Sequence, residues 1–437
     1  MTAVGGQSLI LSKTTVPAGL ALLTTALLAS GVAADQLPSQ SGLESREFAG
    51  ADAKSAITGR GYNLDLGLDS LYDSNVRREG GFTRTTGSRS DFVFTPNATL
   101  QAGLPVGRQQ LFTTVSVGRD FYARNHVYDR TRISVGGGAN LHAGPSCQGS
   151  LFGQYSERQG TQLDLIAVVP NKQQDTVYAV NAGCGRARGL GFGGGYTRTE
   201  TRNGSSIYSL FDSNTSTVSG NIRYNSGALG ALVLTGSYAD VSYPGRGPPL
   251  FPNTDGVKVY TGQLSYRRDI GPLLTGDVGV SYIKAVPKLA SFDAAGARTN
   301  PGYSGPGFNV SLSYHPGVRL SGILSAARDV TASANVGALY VINANYGLDL
   351  TYKLSPRLST GVGGSYATRD YRGAFASVAD PLARSTDTLY RTYVQLSYTP
   401  VRRYSVNLTV ARQGLRSKPN LFDYDSTTAL LGLHVKF

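Results

Sequence analysis

From residue 61 onward, apolar residues alternate with small or polar ones. In GYNLDLGLDSLYDSN, Tyr62, Leu64, Leu66 and Leu68 fall on one face, and Asn63, Asp65, Gly67 and Asp69 on the other. A helix would mix these two sets, whereas a strand separates them. The same period continues to the end of the chain. It predicts eighteen strands, with sixteen or twenty as the bounds: 61–73, 89–104, 108–123, 130–143, 147–158, 172–185, 189–201, 214–227, 229–241, 256–269, 272–285, 305–316, 318–329, 340–355, 357–370, 386–401, 403–415 and 424–437. Strands in globular domains run to about five or six residues, and these are at least twice as long. Tilted strands crossing a bilayer need about 9–11 residues within the hydrocarbon.

The connections alternate between short and long. The short ones carry tight-turn residues, as in LPVGR, HAGPSC, NSGALG, DIGPL and HPGV. Short turns at one end and long loops at the other are the plan of an outer-membrane barrel, with the short turns periplasmic. An even strand count places both chain ends on the periplasmic side.

A soluble β-sandwich also alternates, with its apolar face inward. Two features favour the membrane barrel. The polar row is rich in Gly, Ser, Thr and Asn rather than Lys and Glu. Tyrosines recur near strand ends (Tyr62, Tyr122, Tyr155, Tyr196, Tyr224, Tyr238, Tyr266, Tyr282, Tyr314, Tyr352, Tyr366, Tyr398 and Tyr404), as interfacial girdles require. The expected fold is therefore an all-β, antiparallel, up-and-down transmembrane barrel over residues 61–437. At eighteen strands it would be roughly 35 Å across, too wide for side chains to fill.

Composition adds compartment. The segment VPAGLALLTTALLASGVAA follows Lys13 and ends in small residues. It reads as an export signal over residues 1–34, cut before Asp35, with a buried helix or an uncleaved anchor as the alternatives. Residues 35–60 form a short polar periplasmic lead. Beyond residue 34 no apolar run reaches the roughly 18–20 residues of a spanning helix. Charged residues make up only 16% of the 437, yet net charge is +13. The arginines are scattered rather than clustered, which argues against nucleic acid as a partner.

Two cysteines exclude a disulfide-dense scaffold. Cys147 opens the fifth strand and Cys184 lies near the end of the sixth. Centring the hairpin on its loop puts the two opposite each other at the periplasmic end, and export supplies an oxidising compartment. A cross-strand disulfide is expected; two free thiols are the alternative. No His or acidic ligands accompany them, so no metal is expected.

The search for chemistry finds no HExxH, GxSxG or Walker pattern. None of His126, His142, His315 and His434 has an obvious serine and acid partner in a neighbouring strand. An enzyme is not expected, and no cofactor is implied. Alternation places Asp65, Asp69, Gln263, Arg267, Asp277, Arg319, Asn343, Asn345, Asp349, Lys353, Arg369, Arg391, Gln395, Arg403 and Asn407 toward the lumen. Arginine exceeds aspartate in that set. A positively lined pore focuses anions; arginines and carboxylates bracing one another across the wall is the alternative. Loops 286–304 and 371–385 are candidate constrictions.

The polar exported lead, the motif GLDSLYDSNV at 67–76, repeated G-x-S-Y strand ends and a final aromatic together resemble the putative β-barrel porin 2 family of Gram-negative outer membranes. That resemblance implies an outer-membrane pore, often linked to exopolysaccharide or capsule loci. The expected function is a porin-like channel that passes small polar or anionic solutes or assists exopolysaccharide export. A structural or adhesion barrel acting through its outer loops is the alternative, and a barrel enzyme a remoter one. Expected partners are outer-membrane lipid and lipopolysaccharide, the barrel-assembly machinery and polysaccharide-export components. The row Leu431, Leu433, Val435 and Phe437 resembles the assembly signal of such barrels, and its strand is expected to close the barrel against the first.

Overall fold

The structure, a computed structural model, describes residues 61–79, 88–160, 170–246, 255–271, 273–289, 301–333, 338–372, 385–418 and 420–437. The export segment and the polar lead lie outside the described residues, as does most of loops 286–304 and 371–385. Eighteen strands are present: β1 (Gly61–Asp73), β2 (Asp91–Val106), β3 (Gln109–Tyr122), β4 (Arg130–Ala143), β5 (Cys147–Gln159), β6 (Lys172–Gly185), β7 (Gly189–Asn203), β8 (Ser213–Ser226), β9 (Gly230–Tyr243), β10 (Asp255–Ile270), β11 (Leu274–Pro287), β12 (Tyr303–Tyr314), β13 (Leu320–Ala332), β14 (Tyr340–Lys353), β15 (Leu358–Arg372), β16 (Thr386–Val401), β17 (Tyr404–Lys418) and β18 (Tyr424–Lys436). Each pairs antiparallel with its neighbours in sequence, and β18 pairs back onto β1 from Asp65 opposite Lys436 to Asp73 opposite Thr428. Beyond that ladder, Leu64 and Phe437 exchange both backbone hydrogen bonds, at 3.2 and 2.8 Å.

Closure follows from the solvent. An unpaired strand edge in hydrocarbon leaves a row of N–H and C=O groups without partners, each costing several kcal/mol. Joining β1 to β18 removes both edges. The short turns work because glycine supplies the left-handed conformation they need: Gly107 has φ of 62° and Gly144 of 69°.

Exposure tracks the alternation. On β1, Leu66 and Leu68 are 42% and 46% exposed, while Asp69 and Asp73 fall to 5% and 1%. Val218, Ile222, Leu232, Leu234, Val278 and Val280 belong to the same outward band. A continuous apolar surface of this extent fits lipid and not water. Among the described residues no helix is long and apolar enough to cross a membrane. The molecule spans the outer membrane with its strands, both barrel ends of the chain lying on the periplasmic side.

Most of the tyrosines named above lie on this outward face; Tyr238 packs on Tyr260 and Tyr346 on Tyr366 with their rings tilted. Tyr122 is an exception. It points inward, packs against Leu71, Val93 and Leu430, and meets Tyr128 edge-on.

Two departures from regular pairing matter for the lumen. Prolines lack the N–H that a ladder uses, so they collect where pairing fails. Pro96 sits where the β2–β3 ladder skips between Phe94 and Asn97. Pro306 lies in β12 beyond the last β12–β13 pair, Phe308 opposite Arg328. Outward of that pair, β12 still follows β11 as far as Tyr303, and β13 still follows β14 as far as Ala332. The seam between β12 and β13 is therefore open at its outer end. There the β13–β14 hairpin folds inward. Val330, Tyr340 and Ile342, in phase with the lipid-facing Leu324, Leu348 and Leu350, pack instead on Val241, Tyr243, Val257, Val259, Ile283 and Ala285 of the inner wall. The sheet overlaps itself like a scroll and narrows the outer lumen.

Candidate functional site: the lumen and its periplasmic mouth

Strands of an eighteen-stranded barrel point every second side chain into the enclosed space, so the site is the wall itself. Much of it is occupied with holding the barrel together. The imidazole of His434 on β18 lies between two carboxylates of β1, Nδ1 at 2.9 Å from Asp65 Oδ1 and Nε2 at 3.4 Å from Asp69 Oδ1. Asn97 Nδ2 donates to the other Asp69 oxygen at 2.9 Å. His434 thus has acid partners on the neighbouring strand: residues 369 apart in sequence meet because the barrel closes. Replacing His434 with Ala leaves the two inward carboxylates of β1 without their partner across the seam. It is expected to lower stability by about 1–2 kcal/mol, read as an earlier thermal unfolding transition in detergent.

Several other candidates are similarly engaged, while Asn345 Oδ1 and Arg391 Nε are buried without a hydrogen-bond partner. Gln263 Nε2 donates to Ser265 Oγ at 2.7 Å and to Asn309 Oδ1 at 3.0 Å, and Asn309 Nδ2 donates to Asp277 at 2.9 Å. Asn343 Nδ2 donates to Thr331 Oγ1 at 2.7 Å. The Tyr393 hydroxyl donates to Asp349, and Arg391 lies over the Tyr393 ring, 5.7 Å from its centroid. Arg369 sits opposite Asn343 on one side and Asp387 on the other. Asn345 lies opposite Ala327, Gln395 donates to Ser397 Oγ at 3.1 Å, and Asn407 pairs with Gly432.

Arg319 and Arg403 stand outside the strands, in the short turns before β13 and β17; Lys353 ends β14 at the same level. Removing these two arginines from the wall and adding the inward Asp73, Asp91, Asp120, Asp175, Asp255, Asp329 and Asp387 cancels the arginine excess expected of the lumen. The signs are instead sorted by height. Toward the outer end the acids are largely paired: Arg78 with Asp73, Arg132 with Asp120, Arg158 with Asp175 and Lys172 with Glu157.

The periplasmic end carries cations nearly alone. Arg108, Arg186, Arg188, Arg319, Arg357, Arg402 and Arg403 occupy its turns, and Arg268, Lys353 and Lys436 the adjoining strand ends. Asp269, and Asp65 opposite Lys436, are the side-chain carboxylates at that level, and Asp65 is held by His434. Among the described residues none of these cations forms an ion pair; Arg108 donates to the carbonyl of Gly144 at 3.1 Å. Just inside, Arg223 on β8 and Arg267 on β10 flank the small inward side chains of β9.

Cys147 and Cys184 are bonded and stand opposite each other in the β5–β6 ladder. They share the outward phase of Leu151 and Val180, so the bridge staples the periplasmic rim on its outer side.

The motif GLDSLYDSNV is a brace whose purpose the sequence does not disclose. Asp73 accepts from the Asn75 backbone N–H at 2.8 Å, from the Ser426 hydroxyl and from Arg78. Asn75, fully buried, donates to the carbonyls of Glu79 and Asp425. The first outer loop is thereby tied to β18 over the seam. Among the described residues no group of His, Cys, Asp and Glu could hold a metal ion.

Comparison with curated protein sequences found no match. Among solved structures, OpdK of Pseudomonas aeruginosa, crystallised with vanillate, is similar over 86% of this chain and 99% of its own, at 12% identity and a TM-score of 0.45. A BenF-like porin from Pseudomonas fluorescens covers the same shares at 11% identity and a TM-score of 0.47. The siderophore receptor PirA from Pseudomonas aeruginosa is similar over 87% of this chain and 81% of its own, at 12% identity and a TM-score of 0.45. Residues 251–437, from the approach to β10 through β18, match the family described as Putative beta-barrel porin 2.

Proposed function

We propose that the protein is an outer-membrane channel whose periplasmic mouth gathers anionic solutes, segments of an acidic exopolysaccharide on its way out among them. The observation that carries this reading is the unpaired cationic turns of the periplasmic end, set against the internally neutralised outer end. Cations without partners keep their field available, and a low-dielectric wall focuses it into the opening. The Debye length at physiological salt is about 8 Å, so the rim acts on solutes passing close to the wall. A polymer touching several arginines in turn is held by each, and gains more than a small ion does.

Arginines in loops supply this without disturbing the barrel, since turn side chains reach water on both faces of the wall. The triple variant Arg319→Glu, Arg357→Glu, Arg403→Glu is expected to assemble normally. In liposomes at low salt it should lower the flux of a small anionic sugar relative to a neutral one of equal size by about tenfold. Unchanged relative flux would sink the proposal.

A further inference from the structure

The tucked β13–β14 hairpin is held by a small set of polar contacts, to the outer end of β9 and, through the Tyr340 hydroxyl at 3.0 Å, to the carbonyl of Pro301. The Tyr243 hydroxyl donates to the Leu339 carbonyl at 3.0 Å and accepts the Ser333 N–H at 2.9 Å. Arg246, 1% exposed and 4.0 Å from the centroid of the Tyr243 ring, reaches the Ala338 carbonyl at 3.3 Å. Otherwise the outer ends of β13 and β14 rest on an apolar layer, which is non-directional and tolerates sliding.

The strand it has left is prepared for it. Gly305-Pro306-Gly307 forms the open edge of β12. At Gly307 an added Cβ would lie 2.7 Å from the Arg328 carbonyl oxygen and from Ile283 Cδ1, so this glycine permits the overlap. The register needed to complete the seam already exists. Phe308 lies opposite Arg328, so two residues further out Pro306 would meet Val330, and beyond that Ser304 would meet Ala332. Val330 and Ile342 would then return to the face that the rest of their strands presents to lipid. Val330 and Ile342 suit either environment, but withdrawal uncovers Val241, Val257, Val259, Ile283 and Ala285 to the water of the lumen, so the tucked arrangement is the resting one.

We infer that the β12–β13 seam is a hinged closure and that the tucked hairpin is the shut state of a gate. Zipping the seam outward from Phe308 and Arg328 draws the outer ends of β13 and β14 off the inner wall and widens the outer lumen. This rests on the channel reading above and adds its control point, placed at the end of the pore away from the cationic mouth.

All native cysteines are bonded to each other, so introduced pairs can be followed cleanly in the full chain. In Pro306→Cys/Val330→Cys, mild oxidation in lipid bilayers should cross-link the two positions and raise conductance severalfold, reversibly with reductant, whereas oxidant and reductant leave the wild type unchanged. Adding Tyr243→Phe and Arg246→Ala should speed the cross-link. The pair Phe308→Cys/Arg328→Cys, already opposite, should cross-link without changing conductance. If this control bridges and Pro306→Cys/Val330→Cys never does, the scroll is a fixed constriction and the gate is wrong. A bridge at 306–330 with unaltered conductance overturns it equally. Either result leaves the channel itself standing, because that falls on the behaviour of the wild type.

Discussion

Lysine at position 431 is expected to lower the stability of the barrel in a bilayer by about 2–4 kcal/mol, the cost of a cation on the lipid face near the midplane. Leu431 lies midway along β18, is 42% exposed, and pairs with Leu408 on one side and Ser70 on the other. It also belongs to the strand that closes the sheet, so its loss acts on the seam where the first and last strands must find each other. A control of the same chemistry lies close by. Asn407 pairs with Gly432 and points inward, so Asn407→Lys puts its charge in water and should be nearly neutral. Urea unfolding of both variants in lipid vesicles measures the difference. Equal destabilisation of the two would mean that the faces have been assigned wrongly.

The second large effect is expected at Asp73. Its side chain is 1% exposed and that of Arg78 is 7% exposed, with 2.8 Å between them. Removing one member of a buried ion pair leaves the other charge uncompensated, at a cost of about 3–5 kcal/mol. Asp73→Ala should therefore loosen the first outer loop from β18 and lower the unfolding midpoint markedly. Asp73→Asn, which keeps an acceptor for Asn75 and Ser426, should cost less. Protease sensitivity of the intact barrel offers a second readout, since Asp73 and Arg78 anchor the start of the connection from β1 to β2.

The strands were legible in sequence because two local signals coincide: a strict period of two and a glycine-bearing turn at alternate ends. The disulfide was legible for the same reason, since a hairpin centred on its loop fixes the register of Cys147 and Cys184. What was not legible depends on residues distant in sequence. His434 meets Asp65 and Asp69 only after closure. Asp73 is bridged to Ser426 across the same seam. The inward fold of β13–β14 was hidden for another reason. Val330, Tyr340 and Ile342 keep the phase of the lipid row, and an apolar side chain reads the same against lipid as against protein. One signal for it was present. A proline flanked by glycines inside a long strand, Gly305-Pro306-Gly307, marks an edge rather than a ladder.

Alternation also misplaced charge. It assigned Arg319 and Arg403 to the lumen wall by extending strands a residue or two into the turns. Their position in the turns moves the cationic character from the pore's length to its periplasmic mouth. That changes the expected behaviour from general anion selectivity along the wall to capture at one end.

The most direct test is the reversal potential of the wild-type barrel, inserted in one orientation in a planar bilayer across a potassium chloride gradient. The account predicts a conducting pore that prefers chloride, with the preference strongest at low salt and when the dilute side faces the periplasmic mouth. A barrel that does not conduct, or one that prefers potassium, would contradict it.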